Sequence, residues 1–248
     1  MIILTDEHED IATPTGMMRV HLVRPAGPGR FPAVLLFSEI YQVTAPIRRL
    51  AALIAGHGFV VGIPEVYHED EPAGTALAYD TAGTERGNAL KFGKPLSAFD
   101  DDARAALDFL AGHPGSNGRL GTFGVCLGGH LAYRAALNPS VSAAVCFYAT
   151  DIHSGTLGAG QSDDSLARMD ELAADTLFVW GRQDPHVPFA GRERIRARLE
   201  ETGARYAWTE VNAAHAFLRD EGPRYDPALL VEAIGWTVAH FDRTLRGA

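Results

Sequence analysis

Apolar positions in this chain fall into two rhythms that alternate from end to end, short unbroken runs and stretches spaced at three and four residues. Unbroken runs bounded by turn residues predict strands buried on both faces, and three-and-four spacing predicts helices with one apolar side. Met17 to Val23 alternates as a strand does, and Ala33 to Phe37 is a continuous run after Phe31-Pro32. Ile47 to Ala55 is spaced as a helix and stops at Gly56-His57-Gly58. Phe59 to Ile63 is then a buried strand closed by Pro64. From Tyr67 to Pro95 the periodicity fades among glycines, prolines and mixed charges, which predicts an excursion over the surface of the kind that covers a site. Asp100 to Leu110 predicts a helix, Pro114 to Gly118 a turn, Leu120 to Phe123 a strand and His130 to Leu137 a helix. Val141 to Phe147 and Thr176 to Trp180 are further buried strands, Arg192 to Glu200 an amphipathic helix, Tyr206 to Val211 a strand and Pro227 to Leu245 a closing helix. Such alternation predicts the α/β class, a mostly parallel central sheet with helices on both faces.

A length of 248 residues suits one α/β domain and is short for two, so residues 1–248 are read as a single domain. The formal charge of -9 excludes a nucleic-acid partner, because no basic block offsets repulsion from phosphates, and an anionic substrate must be met by local arginines. No apolar run approaches the roughly 18 residues of a membrane span. The acidic start at Asp6, Glu7, Glu9 and Asp10 is unlike a signal peptide, and the expected address is the cytoplasm. The two cysteines cannot build a disulfide framework. Cys146, inside the run Val141 to Tyr148, is expected to be an inert core thiol, the alternative being a partner that resolves or regulates Cys126. With no HExxH or comparable spacing, no metal is expected. With neither GxGxxG after a strand nor a P-loop, no organic cofactor is implied.

The chemistry concentrates after the predicted strands, where open parallel sheets collect their ligands. Gly124-Val125-Cys126-Leu127-Gly128-Gly129 follows one strand and opens a helix. Glycines two before and two after Cys126 leave room for a sharp turn that projects its side chain above the sheet, a nucleophile elbow with cysteine in place of serine. A thiol at a helix N-terminus meets oriented N–H groups that favour the attacking thiolate. After the strand ending at Trp180 comes Asp184, which as a structural residue would cap the turn before Pro185, and after the strand ending at Val211 comes His215. Nucleophile, acid and histidine in that order give His215 the proton transfers and Asp184 the orientation of the imidazole. His186 is read as a loop residue beside the acid.

Four segments then make the chain resemble the dienelactone hydrolase family of α/β-hydrolases over about Gly16 to Phe241. They are Ser38-Glu39-Ile40-Tyr41, the elbow at Cys126, the loop at Asp184-Pro185-His186-Val187, and His215-Ala216-Phe217 with Arg224-Tyr225-Asp226-Pro227. The resemblance implies the α/β-hydrolase fold and a catalytic set of Cys126, Asp184, His215 and Glu39. In that family the matching glutamate hydrogen-bonds the resting thiol and is displaced when substrate binds. A carboxylate beside sulfur disfavours the thiolate, so a neutral resting thiol that resists oxidation follows. The backbone N–H groups of Ile40 and Leu127 are the expected oxyanion-hole donors. Family members acting on dienelactone hold its carboxylate with two arginines, and Arg86 and Arg219 are the matching positions. Where the family often has a tyrosine four residues after the first arginine, this chain has Leu90.

The leading expectation is a cysteine-dependent hydrolase of small carboxylic esters or lactones, working through a Cys126 acyl-enzyme. A thioesterase or general carboxylesterase with an apolar pocket is the alternative if Leu90, Phe92 and Phe217 line the site and neither arginine reaches it. From another class, a ligand-binding or redox-sensing protein on a retired hydrolase fold is the third reading. The oligomeric state is not readable from the sequence.

Overall fold

The runs that read as buried strands do form one sheet, which the computed structural model describes within residues 1–246. Its strands are β1 (Ile3–Thr13), β2 (Gly16–Pro25), β3 (Phe31–Phe37), β4 (Val60–Pro64), β5 (Ser116–Val125), β6 (Val141–Phe147), β7 (Asp175–Gly181) and β8 (Tyr206–Val211). Their order across the sheet is β1-β2-β4-β3-β5-β6-β7-β8. From β4 to β8 all neighbours are parallel, while β2 runs antiparallel to both β1 and β4. Parallel neighbours bring the carboxyl ends of β3, β5, β6, β7 and β8 to one rim, where the chemistry-bearing loops emerge.

Among the described residues, six α-helices accompany the sheet: α1 (Ala45–Ala55), α2 (Thr81–Gly93), α3 (Leu96–Gly112), α4 (Leu127–Ala135), α5 (Phe189–Thr202) and α6 (Pro227–Phe241). Successive residues of a strand point to opposite faces, and both faces are covered here. Ala33, Leu35 and Phe37 pack with Leu107 of α3, Leu131 of α4 and Ile195 of α5, whereas Val34 and Leu36 pack with Ile47 of α1 and Phe241 of α6. That double cover is why these strands read as unbroken apolar runs. Among the described residues, no helix is long and apolar enough to cross a membrane.

Three elements depart from the sequence reading. No element was expected before Met17, yet the acids of β1 belong to a charged edge strand. Asp10 lies opposite Arg19 and bonds it at 2.8 Å, and Glu7 bonds Arg24 at 2.7 Å. Such partly exposed pairs contribute under about 1 kcal/mol each, but they blunt an edge against pairing with other strands. α2 lies inside the expected surface excursion. Its inward face is Gly83, Gly87, Leu90 and Lys91, too mixed to show an apolar stripe, and it starts because the Asp80 carboxylate accepts from the Gly83 N–H at 2.7 Å. The closing helix also ends earlier than expected, at Phe241, before a wider turn over Asp242–Arg246.

Candidate active site

Cys126 stands between β5 and α4 with φ 59° and ψ -124°, a backbone conformation that costs a side-chain-bearing residue roughly 1–3 kcal/mol. The turn is possible because its neighbours are glycines. A Cβ on Gly124 would come within 1.8 Å of the Gly128 oxygen, and one on Gly128 within 2.1 Å of the Phe37 oxygen. The Cys126 N–H donates to Phe147 at 3.1 Å, and its carbonyl accepts from Gly129 at 3.0 Å and Thr150 at 3.2 Å. The elbow is thus tied to β6 while its side chain stays partly exposed. Cys146 is fully buried in β6, and burial pushes its thiol well above the usual value, in keeping with a core thiol.

His215 follows β8 and faces Cys126. Its Nδ1 bonds the Asp184 carboxylate from the loop after β7 at 2.7 Å, and that carboxylate also accepts the His186 N–H at 2.8 Å. Burial pulls the imidazole down, but the charge of Cys126, the Asp184 hydrogen bond, a hydrogen bond with Cys126 and the Asp184 charge outweigh it and raise His215 to about 10. Burial likewise works against the Asp184 carboxylate, yet its bond to His215, the His215 charge and the His186 N–H hold it below its usual range. The imidazole is clamped edge-on between His186, with ring centroids 4.6 Å apart, and Tyr148, at 5.0 Å. A thiol, an oriented imidazole and a buried carboxylate in this relation can form a thiolate–imidazolium pair.

Glu39 and Ile40, in the loop after β3, line the same cavity of about 320 Å³ as Cys126 and His215. Against the expectation of a bond to the resting thiol, the Glu39 carboxylate accepts from the Tyr79 hydroxyl at 3.3 Å and lies 3.7 Å from Arg219. Burial raises its carboxyl above the usual range, with Arg219, His215, Tyr79 and Arg224 pulling the other way. Among the described residues, no turn or loop carbonyl accepts from the Ile40 or Leu127 N–H. Leu127 is the first residue of α4, so its N–H is one of the helix's orphan donors.

The two arginines expected to act together are separated. Arg219 enters the cavity wall, its guanidinium 4.4 Å from the Tyr79 ring and 5.7 Å from the Tyr41 ring. Arg86 does not reach the cavity. Helical spacing on α2 turns it outward when Gly83, Gly87 and Leu90 face in, and it pairs with Glu71 at 2.6 Å. In its place the cavity receives Lys91 from the same helix, bonded to Asp151 at 3.0 Å, and Arg224 from the loop before α6. The lining also includes Thr84, Asn88, Thr150 and His186, whereas Leu90, Phe92 and Phe217 are outside it, which removes the basis for an apolar ester pocket. Lys91 was hidden by its place in a segment without clear periodicity, although it falls five residues after Arg86 and therefore on a different helix face. Arg224 was visible only as part of a motif.

Among the described residues, one group has the side-chain types of a metal site, His68, Glu69 and Asp102. The Lys94 ammonium already lies among them, donating to Glu69 at 2.6 Å, Asp102 at 2.5 Å and the Val66 carbonyl at 2.8 Å. A cation is therefore built into the chain at that point.

Comparison with known proteins bears on the family and the fold. The model of the dienelactone hydrolase family matches residues 18–245. A Saccharomyces cerevisiae protein named "Putative carboxymethylenebutenolidase" is 41% identical over 257 residues, covering 99% of this chain and 94% of its relative. The carboxymethylenebutenolidase of Pseudomonas putida is 30% identical over 199 residues, 78% of each chain. The crystal structure of a "Putative Dienelactone Hydrolase" from Klebsiella pneumoniae superposes with a TM-score of 0.82 at 23% identity, covering 98% of this chain and 100% of that one. The family model spans the sheet from β2 to the turn after α6 and so includes every rim loop described above, and the chain belongs to the dienelactone hydrolase family.

Proposed function

We propose that this protein hydrolyses small carboxylic esters or lactones, including carboxylate-bearing enol-lactones of the dienelactone type, through a Cys126 acyl-enzyme. The observation that carries the reading is that Cys126, on a strained elbow, faces the Asp184-oriented His215 in a cavity lined with Lys91, Arg219 and Arg224. The Cys126 thiolate attacks the carbonyl carbon, and the resulting oxyanion is received by the N–H groups of Ile40 and Leu127. Collapse of the tetrahedral intermediate breaks the ester C–O bond, and the His215 imidazolium gives its proton to the departing oxygen. Neutral His215 then takes a proton from water, which attacks the thioester, and the sulfur leaves as thiolate. Asp184 holds the tautomer and stabilises the imidazolium throughout. An enolate is a better leaving group than a simple alkoxide, so an enol-lactone partitions forward from a sulfur adduct more readily than an alkyl ester does.

Hydrolysis of a dienelactone beside p-nitrophenyl acetate, butyrate and octanoate tests the reading, with wild type, Cys126→Ala and Arg219→Ala in parallel. Cys126→Ala is expected to lose all four activities, and retained turnover would overturn the covalent route. Arg219→Ala is expected to lower the ratio of dienelactone to p-nitrophenyl acetate kcat/KM by about tenfold or more, the scale of one lost charged hydrogen bond. An unchanged ratio would leave a broad esterase without carboxylate recognition.

A further inference from the structure

Glu39 presents a physical difficulty. It lines the same small cavity as Cys126, and the His215 charge reaches it. A carboxylate turned toward sulfur would accept a hydrogen bond from the thiol and oppose the thiolate, undoing what His215 provides. The carboxylate is instead held by residues from two separate segments. Arg219 approaches it from the loop after β8, and the hydroxyl of Tyr79, from the segment preceding α2, donates to its Oε2.

Tyr79 is itself fixed from several directions. Its hydroxyl oxygen lies 2.6 Å from the Thr44 Oγ1 at the start of α1, its ring meets Tyr41 edge-on at 4.7 Å, and the Arg219 guanidinium covers its face at 4.4 Å. Leu77, two residues earlier, donates its N–H to the Tyr41 carbonyl at 3.0 Å and pins the segment to the loop that carries Glu39. Burial and the Glu39 charge push the Tyr79 phenol well above its usual value, so the hydroxyl remains a donor.

We propose that Tyr79 is a positioning residue whose hydroxyl keeps the Glu39 carboxylate beside Arg219 and off Cys126, leaving the thiol to His215. The inference rests on Cys126 and His215 as the reacting pair of the proposed hydrolase. The groups that face Glu39 are Arg219, His215, Tyr79 and Arg224, and of these Tyr79 is the one whose removal leaves every permanent charge in place. Phenylalanine keeps the ring under Arg219 and against Tyr41 and deletes only the donor.

The test is the rate of Cys126 alkylation by iodoacetamide from pH 5 to pH 9, which reads the sulfur without requiring ester turnover. At pH 6, Tyr79→Phe is expected to be alkylated about tenfold more slowly than wild type, the effect of one pH unit on the thiolate fraction, with the two rates converging at pH 9. Thr44→Val, which frees the tyrosine hydroxyl from its anchor, should shift the profile in the same direction by less. Adding Glu39→Gln to Tyr79→Phe should restore the pH 6 rate to within about twofold of wild type, because the charge that Tyr79 restrains is gone. A wild-type profile for Tyr79→Phe overturns the proposal, and so does a slow profile that Glu39→Gln fails to rescue, which would mark Tyr79 as merely structural. If Cys126→Ala retained hydrolysis while these profiles held, the proposed function would fall and the positioning role would stand.

Discussion

Two buried histidines, His130 and His215, face opposite electrostatic outcomes within one rim of the sheet. His130 sits on α4, four residues past Cys126, with its Nε2 against the Ser165 hydroxyl at 2.6 Å and the Asp163 carboxylate at 3.9 Å. Burial pushes it down to about 4, with Asp163 and Asp151 opposing and Arg134 adding to the drop. His215 is almost as buried and yet is lifted to about 10 by Cys126 and Asp184. Burial alone makes an imidazole neutral, and anions in hydrogen-bonding contact reverse that. The site is therefore defined less by the presence of a buried histidine than by what the chain has placed against it.

The comparison is broken most severely at the sulfur. Cys126→Ala removes the proposed nucleophile, and p-nitrophenyl acetate hydrolysis is expected to fall by about 10⁴-fold or more with the chain still folded by circular dichroism. Asp184→Asn should lower kcat by about 10²–10⁴-fold, because the imidazole loses the partner that sets its tautomer, and KM should move far less.

Stability measurements sharpen the other side. Lys94→Met leaves Asp102 buried without its cation and should cost about 3 kcal/mol in urea unfolding, while kcat per folded molecule stays near wild type. For His130 the folded value lies below the unfolded one, so unfolding takes up a proton as the solution turns acid. Its contribution is complete above about pH 6.5 and is lost as the pH falls toward about 4. The urea midpoint should drop across that window and drop less in His130→Gln, which keeps a partner for Ser165 and cannot titrate. Arg86→Ala should have the smallest effect, within about twofold in dienelactone KM and about 0.5 kcal/mol in stability, because its pair with Glu71 is half exposed.

How far the sequence could be read follows from the same physics. The buried strands β3 to β7 were legible because both of their faces are covered, β8 was legible as a half-buried edge strand, and their ends placed Cys126, Asp184 and His215 on one rim. β1 was illegible because its stabilisation is cross-strand pairing of Asp10 with Arg19 and Glu7 with Arg24, which leaves no apolar alternation. α2 was illegible because its inward face meets polar groups of the cavity and needs close approach rather than bulk. A Cβ on Gly87 would come within 2.5 Å of the Ile40 oxygen. Missing that helix left Arg86 without a direction, and Lys91 and Tyr79 without a role.

The elbow also bears on how such a chain changes over time. At Cys126 the backbone suits glycine better than any residue with a side chain, so the proposed nucleophile is held where the fold would gain from its loss. Cys126→Gly should therefore be inactive and more stable than wild type. Without selection for hydrolysis, drift at this position runs downhill, and a glycine at the elbow of an otherwise intact relative would mark a lineage that has stopped using the reaction.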